Sequence, residues 1–485
     1  MPNNTIPKRN LPLWKALFPM ILLIVLLFFN VVFVFGDDAL SGSNQFILLF
    51  VAAIAAIIGI TEKVSYSEII DQVKKQISIT SEALLILLMV GALTGTWLSS
   101  GVIPTMVYYG LELLNAKIFL VACVFISIIV SLATGSSWTT SATIGVALIG
   151  ISKTLGIPIG MTAGAILSGA YFGDKLSPLS DTTNLAASIA GTDLYTHIKY
   201  MLWTTIPSIV ISILFFIILG LTLETPESIT SNAFEADIKS AFNVSGWLLL
   251  VPLFVFFLIV KKVPAIVSLL AGSLLGGIVT CIAQPQVILQ VTQATSINLV
   301  SAYQTVLTAL TNDITIPTEN PLLQDLFSAG GMQGMLGTIW LIICAMVLGG
   351  TLQAIGALST LSSAILKIAK GATGLIASTT GITILTNVTA SDQYLSIVVP
   401  GKMFKNAYKD QKLAPENLSR TLEDSGTVTS ALIPWNTCGA FHSKTLGVDV
   451  ADYAFFAIFN WLSPFMTLIF AVFKIKIRQL IAPKS

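Results

Sequence analysis

The sequence predicts an all-α polytopic membrane protein made of two inverted repeats of five spanning helices each, each repeat with a re-entrant hairpin and a broken helix. Three observations lead to this fold class. Of the 485 residues, 54% are hydrophobic and 10% are charged, whereas soluble domains carry about 25% charged residues. Several apolar runs approach the roughly 20 residues that a spanning helix needs. Clusters of carboxylates and hydroxyls recur in the same order in both halves of the chain.

The composition also excludes several classes of function. A net charge of +1 argues against a partner nucleic acid, because nucleic-acid binding needs a basic surface. The four cysteines stand singly in apolar segments without zinc-ligand spacing. No nucleophile and base pattern typical of an enzyme is present. We therefore expect no catalytic residues and no cofactor.

Eight segments are apolar enough to be predicted as spanning helices. The first follows Lys8, Arg9 and Lys15 and exceeds the 7–15 residues of a signal-peptide core, so we expect it to stay attached. The eight segments are residues 17–35, 46–61, 83–98, 201–221, 246–260, 264–282, 337–355 and 453–473.

Two further regions, residues 160–190 and 415–445, are apolar but interrupted midway by Gly, Pro, Ser and Asp. Irregular backbone at membrane depth is tolerated only where it is buried in protein or lines a wet cavity. Each region is therefore predicted to be a broken helix. Before each comes a pair of short apolar arms, at 117–154 and 373–404, which we interpret as re-entrant hairpins. Two ordinary short helices are the alternative.

The elements divide the chain into repeat 1 (residues 1–222), an extracellular linker (223–243) and repeat 2 (244–485). Five crossings, an odd number, turn the second repeat upside down relative to the first. Basic residues test the resulting topology, because cytoplasmic loops are rich in Lys and Arg. Twenty of the 25 basic residues fall in predicted cytoplasmic segments, and Lys175 falls within a span. Both termini are therefore predicted to be cytoplasmic.

Matching stretches, residues 64–78 and 287–310, connect the second and third spans of each repeat. In the first, Ile69, Ile70, Val73 and Ile77 form one apolar face. This pattern is typical of an amphipathic helix lying at the membrane interface. A simple surface linker helix is the alternative.

The interrupted segments hold the candidate ion ligands. An ionised side chain at bilayer depth costs at least about 2.5–3.5 kcal/mol, so carboxylates kept there indicate function. Sodium is a hard cation and prefers carboxylate, hydroxyl, amide and carbonyl oxygens. The predicted sodium ligands are Asp174, Asp181, Thr182, Asn184, Asn387, Asp392, Asp424, Thr427, Asn436 and Thr437.

A carboxylate held away from water can carry a proton or a sodium ion, and this competition couples the two ions without enzyme-like chemistry. Asp174 and Asp424 are the strongest candidates, because each marks the start of an unwound segment. The alternative for each carboxylate is a structural ion pair with Lys175 or Lys402. For Lys175, the two interpretations are a counter-charge for Asp174 and a side chain that snorkels outward.

The tip of the first hairpin offers hydroxyls to an ion or to a substrate carboxylate. These candidate substrate ligands are Thr134, Ser136, Ser137 and Thr139. Hydroxyls at a hairpin tip also cap helices, so a structural role is the alternative.

Three strings of this sequence resemble signature segments of the NhaC-type sodium/proton antiporter family. They are TGSSWTTSATIG at 134–145, GAYFGDKLSPLSDTTNLA at 169–186 and PWNTCG at 434–439. The resemblance implies alternating access by a moving bundle, a bacterial inner (cytoplasmic) membrane location and a homodimer. It also implies exchange of Na+ for H+, although the family includes members that exchange malate with protons for lactate with sodium.

The positions of the arginines help to distinguish between Na+ alone and an organic acid as the substrate. A carboxylate substrate favours an arginine fork, and the three arginines are Arg9, Arg420 and Arg478. Arg420 is predicted near the cytoplasmic surface, too shallow for a central site. Half-helix N-termini can bind a carboxylate unaided, so both substrates stay open and sodium/proton exchange is favoured. A channel is disfavoured because broken helices with paired hairpins indicate occluded states.

Overall fold

In the computed structural model the chain is almost entirely helical. The structure describes residues 11–35, 39, 42–113, 115–223, 231–318, 324 and 327–480. Three of the basic residues used for the predicted topology, Lys8, Arg9 and Lys484, lie outside these ranges, as does part of the predicted linker.

The helices of the first half are numbered in chain order. They are α1 (Leu13–Phe29, extended by a π-helix at Asn30–Phe35), α2 (Ser43–Thr61), α3 (Tyr66–Ser99), α4 (Val102–Leu113), α5 (Ala116–Thr134), α6 (Ser137–Thr140, followed by a π-helix at Ser141–Gly145), α7 (Val146–Thr154), α8 (Ile159–Leu176), α9 (Asp181–Ala190) and α10 (Leu194–Thr222).

The remaining helices follow in the second half. They are α11 (Ser231–Ala241), α12 (Leu250–Val260, after a 3-10 turn at Gly246–Leu249), α13 (Ala265–Ala283), α14 (Pro285–Thr292), α15 (Leu299–Thr311), α16 (Leu336–Ala354), α17 (Ala357–Ile368), α18 (Gly371–Ala390), α19 (Gln393–Asp410), α20 (Pro415–Leu422), α21 (Thr437–Leu446), α22 (Val450–Ala454) and α23 (Ile458–Val472). Between α15 and α16, strands β1 (Ile314–Thr315) and β2 (Ser328–Ala329) pair antiparallel.

Within the described residues, seven helices are long and apolar enough to cross a membrane. An eighth span results if α11 and α12, which meet at an angle of 85°, are counted as one. Six of the seven coincide with predicted spans. The seventh is α5, with 19 residues. The expectation that both arms of the first hairpin are too short for a crossing is therefore wrong for this arm. The last predicted span, residues 453–473, is divided between α22 and the 15-residue α23.

The two predicted connecting stretches differ from each other in the structure. The first is the beginning of α3, a continuous helix of 34 residues whose N-terminus is fixed by a capping box between Ser65 and Glu68. The second is two helices, α14 and α15. Two further 12-residue helices, α4 and α17, follow the third span of each half and were not predicted from the sequence.

The packing separates two groups of helices. Helix α3 packs against α13 and α16, and α16 packs against α2; with α1, α12 and α15 these helices form what we call the scaffold bundle. Helix α5 packs along α8 and α10, while α18 packs on α19 and α23; with α9, α20 and α21 these form the core bundle. The interrupted helices all lie in the core bundle.

Candidate functional site

The first broken helix is interrupted by four residues, 177–180. Pro178 has no backbone N–H and restricts the preceding residue to extended conformations, and Ser177 accordingly adopts ψ 130°. Ser180 then caps α9 by accepting a hydrogen bond from Thr183 N. The side-chain amide of Asn184 donates to the carbonyls of Pro178 (3.0 Å) and Ser180 (2.7 Å). Asn184 therefore stabilises the interruption.

The second broken helix is interrupted over a longer stretch. After α20 the backbone forms a π-helical turn at Glu423–Thr427, then a 3-10 segment at Val428–Leu432, and α21 begins at Thr437. Asn387 from the second hairpin tip donates to Gly426 O at 2.6 Å and to Thr429 Oγ1 at 3.0 Å. Asn436 donates back to the Asn387 carbonyl at 3.1 Å. We call Asn387 and Asn436 the amide clamp, since they join this tip to this break.

The first hairpin tip is fixed differently. Gly135 ends α5 with φ +69°, and a Cβ there would lie 2.7 Å from backbone atoms of Leu179, so this close approach favours glycine. The backbone N–H and the hydroxyl of Ser137 donate to Asp174 Oδ2 at 2.9 and 2.7 Å. The first tip is thus joined to its broken helix by a carboxylate.

The same tip also contacts the second half of the chain. The Trp138 ring stacks on Phe441 with 4.1 Å between ring centroids. Its Nε1 donates to Cys438 Sγ at 3.4 Å. Both partners lie on α21, so the first hairpin tip and the second broken helix meet.

A cavity of about 580 Å³ opens where these segments meet. The core-bundle wall of the cavity holds three aspartates. Asp174 is 7% exposed and Asp392 is 2% exposed, whereas Asp181 is open to solvent. Asp392 also caps α19 by accepting from Leu395 N at 3.0 Å. Eight predicted site residues line this cavity: Thr134, Ser136, Thr139, Asp174, Asp181, Thr182, Asp392 and Thr437.

The scaffold bundle closes the other side of the cavity. Glu82 on α3 and Lys262, just after α12, line this wall. Neither residue was predicted from the sequence as part of the site. Glu82 fell between the predicted connecting stretch and the predicted span, which the structure joins into one helix. With four acidic side chains and one lysine among its lining residues, the cavity favours a cation.

Asp424 does not line the cavity. Its carboxylate forms a fully buried ion pair with Lys175 of the first broken helix. Thr204 donates to Asp424 Oδ2 at 2.8 Å, and Thr467 also contacts that oxygen. Lys175 Nζ in turn lies 3.1 Å from Ser463 Oγ. Asp424 thus pairs with Lys175, and the Lys175 side chain is fully buried rather than extended toward the membrane surface.

Five other predicted site residues also lie away from the cavity lining. Ser137, Asn184, Asn387 and Asn436 make the hydrogen bonds described above. Thr427 is buried in the π-helical turn, and its hydroxyl has no hydrogen-bond partner among the described residues. The adjacent Glu423, which was not predicted, is fully buried with both carboxylate oxygens unpartnered in the same part of the chain. Glu423 could have been selected from the sequence, because it stands directly before Asp424 in the polar segment at 423–427.

No group of three or more His, Cys, Asp or Glu side chains in the described part of the chain is close enough to hold a metal ion. A cation in this cavity therefore needs hydroxyl and carbonyl oxygens beside the carboxylates. Such oxygens come from both hairpin tips, because the cavity is lined by Ser136 and Thr139 from the first tip and by Asp392 and Gln393 from the second.

Comparison with known proteins identifies the family. A model of the Na+/H+ antiporter family matches residues 169–475. The Na+/H+ antiporter NhaC of Alkalihalophilus pseudofirmus is 40% identical over 417 residues, which cover 86% of this chain and 87% of the relative. NhaC of Bacillus subtilis is 38% identical over 408 residues, covering 84% and 86%.

A further relative has a different printed activity. The malate-2H+/Na+-lactate antiporter of Bacillus subtilis is 36% identical over 417 residues, covering 84% of each chain. All three relatives match most of their own length, and the family model covers more than half of this chain. This multi-pass membrane protein therefore belongs to the Na+/H+ antiporter family.

Proposed function

We propose that this protein exchanges Na+ for H+ across the bacterial inner membrane by alternating access, with Na+ bound in the cavity between the two bundles. The observation that carries the proposal is the convergence of Asp174, Asp181 and Asp392 on one cavity. They come from the first broken helix and from the second hairpin tip, so elements of both halves contribute. The hydroxyls of Thr182 and Thr437 complete an oxygen-rich wall for a hard cation.

Coupling follows from the shared carboxylates. Asp174 and Asp392 are nearly excluded from solvent, and burial disfavours an ionised carboxylate that has no cation beside it. Each carboxylate therefore holds either a proton or part of the Na+ shell. A transport cycle in which the cavity faces each side in turn then exchanges one ion for the other.

The packing supports the proposed inverted repeats, residues 1–222 and 244–485. The third span of each half, α3 or α16, packs against the second span of the other half, α13 or α2, and the third spans pack against each other. Each third span is followed by a 12-residue helix, a pair of arms and a broken helix. These reciprocal contacts are expected of two units related by an approximate twofold axis.

The orientation is part of the proposal. The excess of basic residues assigns the start of α3 and the turn after α12 to the cytoplasm. Lys262 lies in this turn, Glu82 directly precedes the apolar run of α3 at residues 83–98, and both line the cavity. In this orientation the structure corresponds to an inward-open state, in which cytoplasmic Na+ has access to Asp174.

For Asp424 the contacts support a structural role over Na+ binding. Both its oxygens already have partners, namely Lys175 on one and the hydroxyls of Thr204 and Thr467 on the other. Each half of the chain contributes to this pair, so it fastens the two broken helices together within the core bundle.

The exchange of malate and lactate is the second candidate function, because a relative with that printed activity is 36% identical. A cavity of about 580 Å³ has room for a small organic acid. The hydroxyls of Thr134, Ser136 and Thr139 at its wall are suited to a carboxylate. Against this candidate, Lys262 is the one cationic side chain among the lining residues.

Flux into proteoliposomes tests the proposal. We expect a Na+ pulse to drive H+ movement, reported by an internal pH dye, when no organic acid is present. Asp174→Asn and Asp392→Asn should each abolish this movement. Asp71→Asn is the matched control, because Asp71 is an exposed carboxylate paired with Lys74 on the surface of α3.

One outcome would contradict Na+/H+ exchange and another would contradict the assignment of its site. Proton movement that requires malate or lactate would assign the cavity to an organic acid. Proton movement of wild-type size in both cavity variants would show that Na+ does not bind at Asp174 and Asp392.

A further inference from the structure

A second cavity, of about 490 Å³, lies at the edge of the molecule where α10 begins. We call it the basic pocket. Thr196, Lys199, Tyr200 and Trp203 supply one wall from successive turns of α10, and Lys476 and Arg478 supply the other from the segment after α23. None of the residues that line it is acidic. The pocket has no part in the transport cycle proposed above.

The charges around the basic pocket are unbalanced. Arg478 donates to Glu416 at 2.7 Å, which offsets one positive charge. Lys199 and Lys476 have no carboxylate partner in the described part of the chain. Their ammonium groups therefore create a positive potential that a bound anion would neutralise.

A further positive charge lies directly behind the pocket. Arg420 is fully buried, and its three guanidinium nitrogens have no hydrogen-bond partner among the described residues. Its guanidinium carbon is 4.5 Å from the centre of the ring of Tyr200, which is one of the residues that line the pocket. Arg420 thus adds to the positive potential without touching the ligand.

The walls of the pocket are held in position. The Tyr200 hydroxyl lies 2.5 Å from Asn417 Oδ1 and also contacts the backbone carbonyl of Lys476. Lys476 Nζ lies 4.2 Å above the Trp203 ring, a cation–π contact. These contacts fix the two basic walls at a constant separation before any ligand binds.

An exposed apolar strip begins at the pocket and continues along α10. It consists of Trp203 (49% exposed), Ile206, Val210 and Leu214, which share one face of the helix. Helix α23 packs against α10 and adds Ile469 and Val472, which are also exposed. On a spanning helix this surface contacts lipid chains, so the ligand of the pocket has an anionic head and an apolar tail.

We propose that the basic pocket binds the headgroup phosphate of an anionic phospholipid, with an acyl chain along the exposed strip of α10. Basic clusters at the end of a spanning helix recognise anionic headgroups. A zwitterionic lipid would place its own ammonium group next to Lys199 and Lys476, and the repulsion between these positive charges would weaken its binding. The indole of Trp203 lies between head and chain, where tryptophan is enriched in membrane proteins.

Quenching of Trp203 fluorescence by brominated lipids tests the assignment. Purified protein is reconstituted with brominated phosphatidylglycerol or brominated phosphatidylcholine, and the Trp203→Phe variant is subtracted to isolate this residue. We expect stronger quenching by phosphatidylglycerol. Lys199→Gln/Lys476→Gln should weaken the preference by about 25-fold, since each lysine near a membrane surface contributes about fivefold.

Two further variants distinguish the loss of charge in the pocket from a nonspecific effect of the substitutions on the protein. Lys74→Gln/Lys261→Gln removes the same charge from exposed positions elsewhere and should leave the preference unchanged. Lys199→Arg/Lys476→Arg should retain it. Equal quenching by both lipids, or an unchanged preference in the Gln double variant, would overturn the proposal. Relief of quenching by inorganic phosphate at constant ionic strength would assign the pocket to a free anion instead.

Discussion

The two broken helices carry their acidic residues at similar places in the chain but in opposite environments. Asp174, in the first, faces the cavity and accepts two hydrogen bonds from the first hairpin tip. Asp424, in the second, is fully buried against Lys175 and two threonines. A carboxylate with donors on one side and open space on the other can bind a cation. We expect one whose oxygens both have partners to stabilise the fold instead.

The hairpin tips differ in the same way. The second tip is joined to its break by the neutral amides of Asn387 and Asn436. The first tip is joined to its break by Asp174 itself. An ion or a proton at Asp174 therefore changes the contact that joins the first tip to its broken helix, whereas the amide clamp joins the second tip to its break without an ionisable group. This asymmetry suggests that the first hairpin responds to ion binding.

The largest expected effect comes from breaking the buried ion pair. Asp424→Asn leaves the Lys175 ammonium without its carboxylate, and removing one partner of a buried pair costs about 3–5 kcal/mol. We expect the free energy of unfolding to fall by this amount, measured in mixed micelles. The double variant Lys175→Met/Asp424→Leu removes both charges and should recover most of the loss. Stability equal to the wild type in Asp424→Asn would contradict the structural role.

The next largest effect comes from the cavity carboxylate. Asp174→Asn should reduce the apparent affinity for Na+ by about 100-fold, because two unit charges about 4 Å apart attract by about 4 kcal/mol at an effective dielectric constant of 20 and water in the cavity reduces this. Unfolding should change little, since Asn still accepts from Ser137. Isothermal calorimetry with NaCl measures the affinity. If Asp174→Asn lost stability and kept its affinity, the roles of the two aspartates would be reversed.

A smaller effect is expected at the amide clamp. Asn387→Ala leaves the buried Gly426 carbonyl without the Asn387 side-chain donor, and an unsatisfied buried group costs about 1–3 kcal/mol. We therefore expect a loss of about 2 kcal/mol in the free energy of unfolding with Na+ affinity within twofold of the wild type. A large loss of Na+ affinity would contradict a purely structural role for the amide clamp.

A matched pair of hydroxyl removals gives the smallest effects. Thr204→Val takes one donor from Asp424, and Ser137→Ala takes one from Asp174; a single hydrogen bond contributes about 1 kcal/mol. Thr204→Val should lower stability by this amount and leave Na+-driven flux unchanged. Ser137→Ala should raise the Na+ concentration for half-maximal flux by about fivefold, because the ionised carboxylate loses one of its donors. If Thr204→Val and Ser137→Ala changed Na+-driven flux equally, Asp174 and Asp424 would not differ in their roles as the comparison predicts.

The local features of the fold could be predicted from the sequence. Apolar runs of sufficient length define the spans, and Pro178 and the following Ser180 define the first interruption, because a missing N–H and a helix cap act within a few residues. Glu82 illustrates the limit of this reasoning. Its helix continues through a polar stretch that looked like a boundary, since contacts with α16, such as that of Thr80 Oγ1 with Met346 Sδ at 3.0 Å, support α3 before its apolar run.

The assignment of carboxylates to the site could be predicted only in part. Asp174, Asp181 and Asp392 were predicted as ligands and line the cavity, while Asp424, ranked with Asp174 as a strongest candidate, lies in an ion pair. The sequence places Asp424 beside Glu423 and Ser425, and neither neighbour reveals that Lys175, 249 residues earlier, is its partner.

The sequence by itself determined that the chain is a multi-pass helical membrane protein with interrupted helices rich in oxygen ligands, because hydropathy and backbone restrictions depend on residues close together in the chain. Only the tertiary structure decided which carboxylate is open to an ion and which is neutralised. Such a choice depends on the burial of each oxygen and on partners that come from the other half of the molecule.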